Sequence, residues 1–196
     1  MKTRPYHHGD LRAALLTRAE QTLRDKGPGA LSLRELARDT GVSHAAPSRH
    51  FKDKQALLDA LALEGFDRLL GALTTARDES GGAFADRLDA IARAYVDFAT
   101  GNAVLLELMY SVKHEPDASK ELIACSQRLA ALATELIEDG QRRGEVRAGP
   151  VGSITLPTMA ALHGFATLAA NGTLPAEDVE QGLDDTIAFV LRGCVT

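Results

Sequence analysis

The sequence predicts an all-α fold, and three observations carry that expectation. Apolar residues recur every three to four positions in segment after segment, which is the spacing of one helix face. No segment shows the strict apolar–polar alternation of a half-buried strand. Glycine, proline and capping residues punctuate the chain at helix-length intervals. At 196 residues the chain is long enough to bury a sizeable core, as one large domain or two small ones. No internal repeat or low-complexity tract interrupts it.

Taken in order, Lys2, Arg4, His7 and His8 form a basic, polar arm. A first helix starts near Gly9-Asp10 and runs to about Lys26, with Leu11, Leu15, Ala19 and Leu23 on one stripe. Gly27-Pro28-Gly29 ends it. A short helix follows Ser32, and Thr40-Gly41-Val42 turns into another short helix from Ser43. Asp53 caps a long helix from Lys54 towards Glu79, and Ser80-Gly81-Gly82 is a break. Helices from about Ala83 to Thr100 and from Ala103 to Val112 flank Gly101-Asn102. A loop holding Pro116 leads to a long helix from about Ala118 to Arg143, whose inward residues include Leu122, Ile123, Leu129 and Ile137. After the Gly149-Pro150 loop a helix spans roughly Ser153 to Asn171, with Pro157 near its start and Gly172 as its stop. The last helix runs from about Ala176 to Gly193. The count is nine helices.

The stretch SLRELARDTGVSHAAPSRHFKDK, Ser32 to Lys54, organises the rest. Ser32 and Glu35 have capping-box spacing. Gly41 can take the positive φ of a sharp inter-helix turn, and Ser43 is a suitable N-cap. Two short helices about a glycine-containing turn make a helix-turn-helix, whose second helix enters the DNA major groove. Charge agrees. Residues 1–54 hold 11 of the 22 Lys+Arg and 6 of the 27 Asp+Glu, a net of +5; the remainder holds 11 against 21, a net of −10. A basic head on an acidic body is the footprint of a DNA-binding module joined to something else. We therefore divide the chain into a DNA-binding domain, 1–54, and a helical body, 55–196.

At the front of the second helix, His44, Ala45, Ala46 and Ser48 would reach base edges, where alanine methyls pack on thymine methyls. Arg49 is the strong donor of that helix, with guanine as its favoured partner. Lys52 and Lys54 suit phosphates, and the helix start at Asp53 offers free N–H groups to them. Ser32, Ser43, His44, Ala45, Ser48, Arg49, His50 and Lys54 are the candidate DNA-binding residues; Phe51 is read as packing.

HHGDLRAALLTRAEQTLRDKGPGALSLRELARDTGVSHAAPSRHFKDKQALLDAL resembles the N-terminal domain of the tetracycline-repressor (TetR) family of transcriptional regulators, over about 55 residues. The resemblance implies a three-helix DNA-binding head on a helical body of six helices, a homodimer formed by the last two helices, and a repressor released from operator DNA by a small molecule. YHHGDLR and ALHGFATLAANG look like the subgroup whose body carries a Trp-x-x-x-His-Gly signature. Two departures stand out. Ser48 replaces the phosphate-binding tyrosine usual before Arg-His-Phe, and Met159 stands where the subgroup has tryptophan.

For an effector, Phe66, Tyr95, Phe98, Met109, Tyr110, Met159 and His163 are candidate lining residues, with Leu70, Leu105 and Phe165 beside them. Their apolar character favours a hydrophobic or aromatic molecule. Leu156, Ala160, Gly164, Thr167, Leu168 and Ala170 are small or apolar, and Leu183, Ile187, Val190 and Leu191 give the last helix an apolar face. Both features suit a dimer surface. A two-fold dimer would read a pseudo-palindrome with recognition helices about one DNA turn, roughly 34 Å, or more apart. An enzyme and a non-specific DNA-binding protein are the competing readings. Against the first, there is no P-loop, Rossmann glycine pattern, Gly-x-Ser-x-Gly or HExxH; against the second stands the net charge of −5. Cys125 and Cys194 suggest reduced thiols in helices, and no metal or cofactor is expected. MKTRPYHHGDLR lacks a signal-peptide core and no run of about 18 apolar residues occurs, so the expectation is a cytoplasmic protein.

Overall fold

The computed structural model describes residues 11–195, so the basic arm and the first turn around Gly9-Asp10 lie outside the described residues. Among the described residues there are eight α-helices: α1 (Leu11–Lys26), α2 (Leu33–Asp39), α3 (Lys54–Glu79), α4 (Phe84–Gly101), α5 (Ala103–Val112), α6 (Lys120–Arg142), α7 (Gly152–Ala170) and α8 (Val179–Cys194). No strand occurs among the described residues. Short 3₁₀ turns cover Pro28–Ala30, Pro47–Arg49 and Ala176–Asp178. No described helix is long and apolar enough to cross a membrane.

Local chemistry sets most helix ends. Gly27, at φ 76°, lets its N–H reach the Leu23 carbonyl and closes α1. The Asp53 carboxylate accepts from the Ala56 N–H at 2.8 Å and starts α3 at Lys54. α7 ends in a Schellman motif: Gly172, at φ 73°, donates to Ala169 and Thr173 donates to Leu168. Pro157 sits inside α7 without ending it.

The chain forms two compact units, residues 1–65 with 104–123, and residues 66–103 with 124–196. In the first, Leu15, Ala19, Leu23, Leu36, Ala37 and Phe51 are buried around the packing of α1 on α2. Each buried leucine contributes roughly 1.5–3 kcal/mol. Arg18 bridges α1 to Asp39 at the end of α2, at 2.8 Å. This guanidinium holds the Asp39 carboxyl below the usual range. Asp59 on α3 is a buried carboxylate that accepts from the Gln55 amide at 2.9 Å and the Ser119 N–H at 2.8 Å. Met109 is fully buried, and a Cβ at Gly65 would lie 2.6 Å from its sulfur, so a side chain there would have to displace Met109.

In the second unit α7 packs on α4 and α8, and α4 on α8. Arg93 of α4 pairs with Asp89 and with Asp184 of α8. A Cβ at Gly182 would come within 3.0 Å of the Phe165 ring, so glycine sets that approach too. The Glu145 carboxylate accepts from the Phe84 N–H at 2.9 Å and caps α4. Arg87 reaches Asp139 at 2.8 Å and, with Arg142, holds that carboxyl below its usual range. At the far end of α8, Arg147 donates its backbone N–H to Cys194 and its Nε–H to Gly193, a cation on the helix's negative end. The thiol of Cys125 donates to Asp67 at 3.1 Å, and both Cys125 and Cys194 are unbridged. Burial, then the Asp67 contact, pushes the Cys125 thiol up.

Several expectations are corrected. The second helix of the helix-turn-helix is not an α-helix: residues 44 and 45 form a turn, residue 46 a bend and Pro47–Arg49 a 3₁₀ helix, because Pro47 has no N–H to give the Ser43 carbonyl. This is why eight α-helices replace the nine expected. Ser32 has the extended backbone of an N-cap, but its side chain makes no capping bond. Glu35 lies 3.7 Å from Arg38 instead, so the capping box is not formed. Ser43 accepts from Ala46 through its carbonyl and caps no α-helix. Ile123 is 40 % exposed, not inward, while Leu122 and Cys125 take the inner positions. Leu183, Ile187 and Val190 are buried within their own unit rather than forming an outer face of α8.

Candidate nucleic-acid interface and helical body

The turn between α2 and the reading segment is built on Gly41, at φ 71°. Thr40 closes α2 by donating its hydroxyl to the Leu36 carbonyl at 2.7 Å. Val42 returns its N–H to Ala37 at 3.0 Å. The segment is then held by buried Pro47 and Phe51, and it packs on α2. The Phe51 ring also carries the Arg12 guanidinium at 5.7 Å.

These anchors leave a polar surface outward. Ser43, His44, Ala45, Ser48, Arg49, His50 and Lys54 are all exposed, and Ser32 is half-buried. Lys52 is exposed beside Asp53, at 3.9 Å. Lys54 donates to the Gly29 carbonyl at 3.4 Å, which steadies the stem of an ammonium that still faces water. Arg34 stands exposed in the first turn of α2. Sequence reading passed it over, because a charge on a helix's polar face gives no signal until that face is known. Asp59 was missed as well; its only sequence trace is Gln55 four residues before it.

The effector candidates are distributed over both units. Met109 and Tyr110 belong to the first unit, where the Tyr110 ring carries the Lys113 ammonium at 4.2 Å. Burial there lowers the Lys113 pKa from its usual value. Phe66, Tyr95, Phe98, Met159 and His163 belong to the second unit. Phe66 and Tyr95 are buried; Phe98, Met159 and His163 are half-buried. Tyr95 Oη and His163 Nδ1 lie 2.7 Å apart, a hydrogen bond between α4 and α7. The Phe98 ring lies 5.9 Å from the Arg68 guanidinium. On the outside of α7 and α8, Leu156 is 70 %, Leu168 43 % and Phe189 66 % exposed, with exposed Ala160, Gly164 and Thr167 on α7. Among the described residues no group of three His, Cys, Asp or Glu is placed to hold a metal.

Known proteins match this arrangement. Residues 15–61 match the model of bacterial regulatory proteins of the tetR family, and residues 88–190 match the tetracyclin repressor-like C-terminal domain. The HTH-type transcriptional repressor Rv1474c of Mycobacterium tuberculosis is 29 % identical over 141 residues, 72 % of each chain. A structure of a protein with unknown function from Rhodococcus sp. RHA1 superposes with a TM-score of 0.92 at 44 % identity, covering 99 % of this chain and 100 % of that one. A bacterial regulatory protein in the tetR family, also from Rhodococcus RHA1, shares the fold with a TM-score of 0.74 at 23 % identity, over 95 % and 98 % of the two chains. The chain belongs to the TetR family and is a transcriptional regulator with a helix-turn-helix DNA-binding domain.

Proposed function

We propose that the chain is a repressor that acts in the cytoplasm as a homodimer on a pseudo-palindromic operator and leaves it when a small molecule binds the body. It is a regulator and not an enzyme. Residues 1–54 are the DNA-binding domain and residues 55–196 the ligand-binding and dimerisation domain. Ser32, Ser43, His44, Ala45, Ser48, Arg49, His50 and Lys54 contact the duplex. Arg49 reads a guanine, and Lys52 and Lys54 hold phosphates. The observation that carries this is the exposure of Arg49 and its neighbours on a segment anchored from behind by Pro47 and Phe51.

The partner copy docks on α7 and α8, a pairing supported by exposed Leu156, Leu168 and Phe189 beside small residues of α7. The effector is apolar or aromatic and engages the second unit's Phe66, Tyr95, Phe98, Met159 and His163. Selection from a random duplex library, followed by titration, tests the reading. One palindromic sequence should be enriched, scrambled duplex should bind weakly, and Arg49→Ala should cost about 10- to 100-fold at that site. Equal affinity for scrambled duplex would reject it. Screening apolar metabolites for loss of binding then tests release.

A further inference from the structure

The backbone bonds of the reading segment follow one rule up to Arg49. Ala46 donates to Ser43 at 2.9 Å and Arg49 to Ala46 at 3.2 Å, both three residues back. His50 donates to Pro47 in the same way, and only Phe51, four residues on from Pro47, makes an α-type bond. Pro47 supplies no N–H, so the Ser43 carbonyl takes its bond from Ala46. Its ring is buried, so the segment is held at that point as well as wound by it.

Winding decides where side chains stand. Over the six residues from Ser43 to Arg49 an α-helix would rise about 9 Å and turn by about 240°. A 3₁₀ helix over the same span would rise about 12 Å with every third side chain on one line; here Pro47–Arg49 is 3₁₀ and Ser43–Ala46 is a separate three-residue turn before it. The difference of about 3 Å is close to the separation of adjacent base pairs, about 3.4 Å.

We propose that Pro47 is a specificity-determining positioning residue: by winding the segment in three-residue turns it sets which base pair Arg49 meets relative to those met by Ser43–Ala46. This rests on the reading of residues 43–54 as the DNA-contacting segment. Replacing Pro47 restores a donor for the Ser43 carbonyl, allows an α-helical turn and moves Arg49 by about one base-pair step.

The test uses the full chain as wild type, Pro47→Ala and Pro47→Val; valine retains most of the buried apolar volume. Each selects from a random duplex library and is titrated on its own and the others' selected sites. The expected result is a changed guanine position in each half-site of the variants' sequences. Each protein should bind its own site at least about tenfold better than the other's. Variants that enrich the wild-type sequence, or that bind every duplex more weakly by one common factor, overturn the proposal. If the variants unfold, cross-linking from Ser43→Cys and Arg49→Cys in chains that keep Pro47 decides it; the native Cys125 and Cys194 are buried. Cross-links on the wild-type site separated by about one base pair more than α-helical spacing support the proposal, and α-helical spacing overturns it. A wild-type chain that enriches no sequence overturns the DNA-binding reading itself, and this inference with it.

Discussion

Two exposed surfaces of this protein are built from opposite materials. The segment 43–54 turns Ser43, His44, Ser48, Arg49, Lys52 and Lys54 to water and hides Pro47 and Phe51. The outer side of α7 and α8 does the reverse, exposing Leu156, Leu168 and Phe189, while Leu183, Ile187 and Val190 fill its own core. A surface of cations and hydroxyls gains affinity through phosphates and counterion release, and so responds to salt. A surface of leucine and phenylalanine gains it through area removed from water, which salt changes little. The contrast gives each surface its own diagnostic.

The strongest way to break that contrast is to charge the apolar side. Leu156→Asp combined with Phe189→Asp should leave helicity unchanged, since both side chains lie outside the core. It should convert the dimer to monomer in sedimentation and weaken operator binding about 100-fold or more, by uncoupling two half-sites. A variant that stays dimeric would place the interface elsewhere. Next, the slope of log affinity against log salt should be steep for the wild type and shallower by about one for Lys54→Ala, with little change in sequence preference. The smallest effect is on pH. Arg18 and Arg87 hold Asp39 and Asp139 below their ordinary value of 3.8, so their stabilisation is present above that value and is lost as pH falls through the depressed folded values. The thermal midpoint should therefore drop in that acid window. Arg18→Ala should remove the Asp39 share and leave that of Asp139, as measured by melts across the window.

Much of the fold was legible because its punctuation is local. Asp53, Gly27, Gly101-Asn102 and Gly172 act on the few residues beside them, and α3 and α5 fall where those signals put them. Apolar stripes were equally readable on α1, where Leu15, Ala19 and Leu23 are buried as spaced. What sequence could not supply was competition. Glu35 could cap α2 or pair with Arg38, and spacing alone does not choose. Ile123 and Leu122 are both apolar, and only packing decides which turns in. Pro47 is another such case: a proline can start an α-helix or, as here, open a 3₁₀ turn, and spacing alone does not choose. The candidate interface was legible as a set of residue types; their exposure on one segment required the anchors behind them.

The Tyr95–His163 bond has a practical side. The chain has no tryptophan and three tyrosines, so its intrinsic ultraviolet emission is tyrosine emission alone. Where the phenol donates to the imidazole across these 2.7 Å, excited-state proton transfer quenches its emission. A molecule that parts Tyr95 from His163 would brighten the protein, and the unlabelled chain would report its own effector as a rise in light.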